Sequence, residues 1–263
     1  MIDDAAPRPT FFAANRRMLL GFLSVALFFA LWQAVFLFVP LNTMFITEPS
    51  LIAKGLAGLI ASGELWFDLG VSAVPFVYGF VASVVVGVPL GLLMGWRVRA
   101  AYALDPLLTA LYASPLIALA PIVVIFFGVG VPGKAIIIFV LAVFPFIFNV
   151  YAGARTVDRL LVNVVRSLGG KERDLYLKVL LPSVLPYIVA GARIAVGRAL
   201  IGVLVGEFFA ASEGIGYAIA RFGDIYALDR MFGCILVITA IAVVFTEGMR
   251  WAERATFPWR TGR

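Results

Sequence analysis

Long apolar runs separated by short polar stretches dominate the chain, and their lengths predict helices that cross a bilayer. Runs at residues 18–39, 69–95, 106–127, 135–151, 187–211 and 231–247 are close to the roughly 17–25 residues that a helix needs to traverse the hydrocarbon core. The expected fold is therefore an all-α membrane protein of about six transmembrane helices. The first run follows Arg16-Arg17, as a signal peptide's apolar core follows its basic flank. It is longer than such a core and no small-residue cleavage site comes after it, so it reads as an uncleaved anchor ended by Pro40. Residues 40–67 read as an interfacial segment. Thr47-Glu48-Pro49 is a helix start with proline in the first turn, Leu51, Ile52, Leu56, Leu59 and Ile60 form an apolar face, and Trp66 marks the membrane boundary.

A polar island stands between the fourth and fifth runs, residues 153–186, GARTVDRLLVNVVRSLGGKERDLYLKVLLPSVLP. It carries Arg155, Arg159, Arg166, Lys171, Arg173 and Lys178, together with a stripe of Val157, Leu160, Leu161, Val164, Val165 and Leu168 at helical spacing. Gly169-Gly170 ends that helix. A second short helix is expected over 172–181, closed by Pro182 and Pro186. Two short helices joined by a glycine bend on the basic side of a membrane form a docking element. Residues 212–230 read as a polar loop of mixed charge.

Composition rules out a soluble domain: 63% of residues are hydrophobic, 14% are charged, and mean hydropathy is +1.04. The net charge of +6 does not indicate nucleic acid, because the basic residues sit at the ends of apolar runs. About 15 Lys and Arg outside the runs fall on the side of both termini and the island. Four, Lys54, Lys134, Arg221 and Arg230, fall on the other. That asymmetry places both termini in the cytoplasm. A single cysteine, Cys234, and no histidine leave no disulfide within the chain, no metal cluster, and neither Ser-His nor HExxH chemistry. No cofactor is expected. Residues 128–135, GVGVPGKA, nearly spell a phosphate-binding loop. However, Ala135 stands where the magnesium-binding hydroxyl is needed, and the segment reads as a tight turn between helices.

Within the runs, Gly87, Gly91 and Gly95 recur every four residues, a spacing that lets helix backbones approach closely, and Gly202 and Gly206 repeat it. Pro115 and Pro121 each free a backbone carbonyl in the third run, which makes them candidates for a pathway-forming kink. Pro145 and Asn149 lie in the fourth run. In the fifth, Arg193 is close enough to the basic side to snorkel, whereas Arg198 and Glu207 lie deeper. They are roughly 13 Å apart along the helix, too far to pair, and each is a candidate for a pathway or gate.

The island also carries a pattern. Gly169, nine residues, then Val179-Leu180-Leu181-Pro182 resembles the second half of the cytoplasmic loop of ABC-importer permease subunits, E-A-A, three residues, G, nine residues, I-x-L-P. Asn163-Val164-Val165 stands where Glu-Ala-Ala is usual, a departure that touches the acidic contact to the ATPase and not the docking. DPLLTALYASPLIALAPIVVIFFGVGVPGKAIIIFVLAVFPFIFNVYAG, GARIAVGRALIGVLVGEFFAASEGIGYAI and the terminal PWR are similar to the nitrate/sulfonate/taurine-type permeases, over roughly residues 48–260. The resemblance implies a permease subunit of an ABC importer in a bacterial inner membrane. Such a subunit pairs with a second permease copy, two ATPase subunits and an extracytoplasmic substrate-binding protein. It moves a small anionic solute such as a sulfonate, nitrate or taurine. Asn163, Val164, Val165, Gly169, Val179, Leu181 and Pro182 would then couple to the ATPase. The implied organisation is a tail at 1–17, a permease domain at 18–252 with its coupling loop at 153–186, and a tail at 253–263. A secondary transporter or channel using Arg198 and Glu207 for ion coupling is the alternative. An intramembrane enzyme is disfavoured, since there is no histidine and no pair of carboxylates within the spans.

Overall fold

A computed structural model describes residues 16–39 and 46–256; the expectations for both tails beyond these bounds and for Pro40 fall outside them. Among the described residues every regular element is helical. In chain order they are α1 (Arg16–Phe38), α2 (Pro49–Ser62), α3 (Glu64–Trp96), α4 (Val98–Ala113), α5 (Ala120–Phe127), α6 (Val131–Arg155), α7 (Arg159–Ser167), α8 (Leu181–Ala210), α9 (Ile215–Asp224) and α10 (Leu228–Thr256). Five helical stretches are long and apolar enough to cross a membrane, and six if one sharply bent pair counts as a span.

Helix α6 is the centre of the bundle. Between two apolar helices in lipid there is little hydrophobic drive to associate, so close packing must hold them together. Small residues supply it. A Cβ at Gly79 would lie 2.6 Å from Ile138 Cβ, one at Gly87 2.7 Å from Phe146 Cβ, and one at Gly91 2.7 Å from the Ile147 carbonyl. Ser83, fully buried in the same row, donates to the Gly79 carbonyl at 2.7 Å. The four-residue repeat predicted for packing thus seats α3 on α6. On the other flank a Cβ at Gly202 would come within 2.9 Å of Ile138 Cα, which brings α8 equally close. Ile138, Ala142 and Phe146 therefore have no exposed surface and form one core with Ala195, Ala199 and Val203 of α8. Helix α1 stands at the edge, apolar side chains outward. Gln33 ties it to the start of α2 by donating to Glu48 at 2.7 Å and accepting from the Ser50 amide at 3.1 Å.

Three expectations need correction. The third run bends far more sharply than a proline kink: α4 and the segment Leu116–Phe127 meet at 84°, as a broken span or a re-entrant loop. Pro115 has no amide to continue α4, and a 3-10 turn, Leu116–Leu119, bridges to α5. Pro121 lies in the first turn of α5, where a missing donor costs nothing, and so kinks nothing. Pro182 and Pro186 do not close the second helix of the island. A helical turn at Glu172–Asp174 and a π-helical stretch, Leu175–Leu180, run directly into α8. The wider π turn makes room for the Pro182 ring, which would otherwise press on the carbonyl four residues back. Residues 212–230 are not a simple polar loop, because α9 lies within them and buries Ile215, Ala218, Ile219 and Phe222 against the bundle.

Candidate coupling element and pathway

Asp158 begins α7 as its N-cap, its carboxylate accepting from the Leu160 amide at 2.8 Å. The helix ends in a paired closure: the Gly170 amide reaches the Val165 carbonyl at 2.9 Å and the Gly169 amide reaches Arg166 at 3.0 Å. This geometry requires a left-handed residue, and Gly169 has φ +76°. Of the expected stripe, Val157 precedes the cap and packs against the bundle. Leu160, Leu161, Val164 and Leu168 remain exposed, Leu168 at 82%. Asn163 is exposed beside them, whereas Val165 is half-buried. The second limb faces inward: Val179 is buried and Leu181 half-buried, while Pro182 is exposed. The seven residues of the sequence pattern therefore divide into an outward-facing helix with its turn and a stem anchored in the bundle.

Two residues outside the pattern hold the turn in place. Trp96, the last residue of α3, donates its indole N–H to Glu172 at 3.3 Å and lies 5.1 Å from the Tyr176 ring. Glu172 also faces Arg166 of α7 at 3.8 Å. Nothing in the spacing of the island pointed to Trp96, which lies 76 residues away. Farther along α8, Arg193 pairs with Glu253 of α10 at 3.7 Å, so it is not merely a snorkelling side chain.

Arg198 and Pro115 come together. They line one cavity of about 400 Å³, with Tyr112, Ser114, Leu116 and Leu141, at the break between α4 and α5. Tyr112 is held by Phe144 and Phe148, each with ring centroids 5.4 Å away, and Ser114 donates to the Leu111 carbonyl at 2.6 Å. Pro121 does not line this cavity.

Glu207 belongs to a different site. It is 1% exposed and accepts from Ser72 Oγ of α3 at 2.8 Å and from the Gly216 amide of α9 at 2.8 Å. Lys134 of α6 approaches it at 3.6 Å and donates to the Glu213 carbonyl at 3.5 Å. Asp68 accepts from the Gly214 amide at 3.1 Å, and Ser72 accepts from the Ile215 amide at 2.9 Å. The amide of Gly214, the N-cap residue, and the first two amides of α9, unsatisfied within the helix itself, are thus capped by side chains of two other helices. A carboxylate at that end also suits the helix dipole. Gly216 permits the approach, since a Cβ there would lie 2.9 Å from Glu207 Cβ, and Gly214 takes φ +112° beside the carboxylate. Sequence reasoning missed Asp68, Ser72 and Lys134. Two polar residues four apart in an apolar run were the available signal for the first two. Lys134 had been counted as a loop residue, but it lies buried in the first turn of α6.

Residues 87–257 match the family model described as binding-protein-dependent transport system inner membrane component. A protein of Bacillus subtilis named as an aliphatic sulfonates transport permease is 31% identical over 240 residues, covering 91% of this chain and 87% of its own. A formylaminopyrimidine transport permease of Halalkalibacterium halodurans is 35% identical over 182 residues, 69% of this chain and 73% of its own. Among solved structures, the inward-facing methionine ABC transporter has a chain that superposes with a TM-score of 0.59 at 21% identity. The match covers 70% of this chain and 91% of that one, a likeness of fold.

Proposed function

The chain belongs to the family of binding-protein-dependent transport system inner membrane components and is a permease component of an ABC importer, and we propose that it carries a small organic anion of the sulfonate type. Membership implies an ATPase and a substrate-binding protein as partners. The assembly we propose has two copies of this chain in a bacterial inner membrane, two ATPase subunits bound at α7, and the binding protein on the opposite face, with both termini in the cytoplasm. In this scheme the permease domain spans 18–252.

The observation that carries this reading is α7. Its Leu160, Leu161, Val164 and Leu168 are exposed although α7 is amphipathic, and such a face needs a partner groove. Asn163, Val164, Val165 and Gly169 form the contact and its turn. Val179, Leu181 and Pro182 belong to the stem. From Glu172 to the far end of α8 the chain is one helical rod, so a displacement of α7 by closure of the ATPase pair moves the Arg198 region as well. ATP binding and hydrolysis then bias an inward–outward equilibrium of the permease. In this scheme Arg198 and the Pro115 break lie on the pathway, Pro121 starts the short helix beyond it, and Glu207 holds the outer end closed. The secondary-transporter alternative has no use for the exposed α7.

Gly169→Leu tests the docking. A leucine at φ +76° costs about 1–2 kcal/mol with no neighbour to clash against, so the turn is perturbed and membrane insertion is not. The expected result is an inserted chain with reduced ATPase co-purification and loss of sulfonate uptake. Wild-type values of both measurements would refute the assignment.

A further inference from the structure

Arg198 is an arginine near mid-depth of a spanning helix. At 1.5 Å per residue it lies about 26 Å from Leu181 and about 18 Å from Ala210 along α8. Arginine stays protonated in any protein environment, and a cation at this depth requires a partner or water. Among the described residues it has neither an ion pair nor a hydrogen bond. The 3-10 turn Leu116–Leu119, α5 and α6 carry no carboxylate, and Asp105 lies about 13 Å from Ser114 along α4. The other acids near α8 are engaged elsewhere: Glu207 in the site above, Glu253 of α10 with Arg193 and Glu247 with Arg250.

Arg198, exposed in this chain, lines a cavity of about 400 Å³ that is otherwise uncharged: Pro115, Leu116 and Leu141 give apolar wall, and Tyr112 and Ser114 give hydroxyls. A small-molecule site commonly combines apolar walls with a few placed polar groups, and a planar guanidinium suits an oxyanion because two of its N–H groups can point at two oxygens. We propose that this cavity is a binding subsite for a monoanionic oxyanion with a short apolar body, Arg198 holding the anion and the Pro115–Leu116–Leu141 wall holding the alkyl part. The proposal rests on the importer reading and deepens it. The two relatives above are named for a sulfonate and for a formylaminopyrimidine, and an unpaired arginine selects the anionic class. The helix break serves the site as well, because an unbroken α4 would continue through the space that the turn at Ser114–Pro115 leaves open.

The test uses the full chain in lipid nanodiscs with trifluoromethanesulfonate as probe, observed by fluorine NMR, and trifluoroacetamide as the neutral control. Wild-type chain should broaden the sulfonate resonance beyond empty nanodiscs and leave the amide unchanged. Arg198→Gln should reduce that broadening at least about fivefold, the loss expected on removing a charge-assisted contact, whereas Arg198→Lys should retain most of it. Ala113→Trp fills the cavity from an exposed position on its lining with the charge kept, and should also abolish the effect. Should Arg198→Gln fail to fold, Ala113→Trp decides. No broadening by wild type, or equal broadening by Arg198→Gln or by Ala113→Trp, overturns the proposal. A chain that broadens the probe yet recruits no ATPase would instead count against the importer reading and leave the subsite standing.

Discussion

At Glu207 one carboxylate takes donors from three helices, Ser72 of α3, Gly216 of α9 and Lys134 of α6, and so ties them together near the Ala210 end of α8. Its side chain has no exposed surface and that of Lys134 only 10%, so the two charges have little water to fall back on. Glu207→Gln keeps the volume and one acceptor oxygen but strands the ammonium. Breaking a buried pair from one side costs roughly 3–5 kcal/mol, part of which the Glu213 carbonyl would recover. The expected outcome is a markedly lower unfolding temperature in detergent, partly restored when Lys134→Met is added. An unchanged unfolding temperature would remove the pair from the account of stability. If Glu207 also serves as the outer gate, its single variant alters basal ATP hydrolysis in the chains that do assemble.

Among the elements, α3, α7 and the stem of α8 meet at one residue. Glu172 faces both the Trp96 indole and the Arg166 guanidinium, and under the proposed docking of an ATPase at α7 it would draw α3 along with α8. Both members of the Arg166–Glu172 pair are 58% exposed, so the pair contributes at most about 1 kcal/mol to stability. Its value would be positional. Glu172→Ala is therefore expected to leave unfolding and ATPase co-purification near wild type while uptake per ATP hydrolysed falls several-fold. Uptake at the wild-type ratio would show that α8 alone transmits the motion. The helical stripe and the glycine turn of α7 were legible in the chain because both are local, set by residues three to five apart. Trp96 was not, since only the folding of α3 brings it beside Glu172.

For the whole molecule, α8 carries the consequence of orientation. Val164 lies beyond its Leu181 end and Ser212 just beyond its Ala210 end, which are about 44 Å apart at 1.5 Å per residue. Both side chains are exposed, and Cys234, at 1%, is replaced by alanine to leave a cysteine-free background. In intact cells a membrane-impermeant maleimide should label Ser212→Cys and not Val164→Cys until the membrane is opened. Labelling of Val164→Cys from outside would reverse the topology and with it the docking of an ATPase at α7.

Hydropathy and periodicity determined, from the residues alone, that the chain is a helical membrane protein, roughly where its long helices lie, and that Gly169 ends a short amphipathic helix. These features depend on runs of like residues and on backbone conformation, both written in neighbouring positions. The glycine row at 87, 91 and 95 was readable for the same reason, as a fixed four-residue period. What α9 does, why Lys134 is buried, and which face of Arg198 is free depended on contacts between remote segments. Ser72 and Glu207 are 135 residues apart, and no local pattern records that they meet. The bend at Pro115 was half legible: proline announces a break, but its 84° and the cavity it opens toward Arg198 follow from how α5 packs back on α6. A charged residue in an apolar run shows only that a partner is needed. Tertiary structure decided that Glu207 has several and that Arg198, among the described residues, has none.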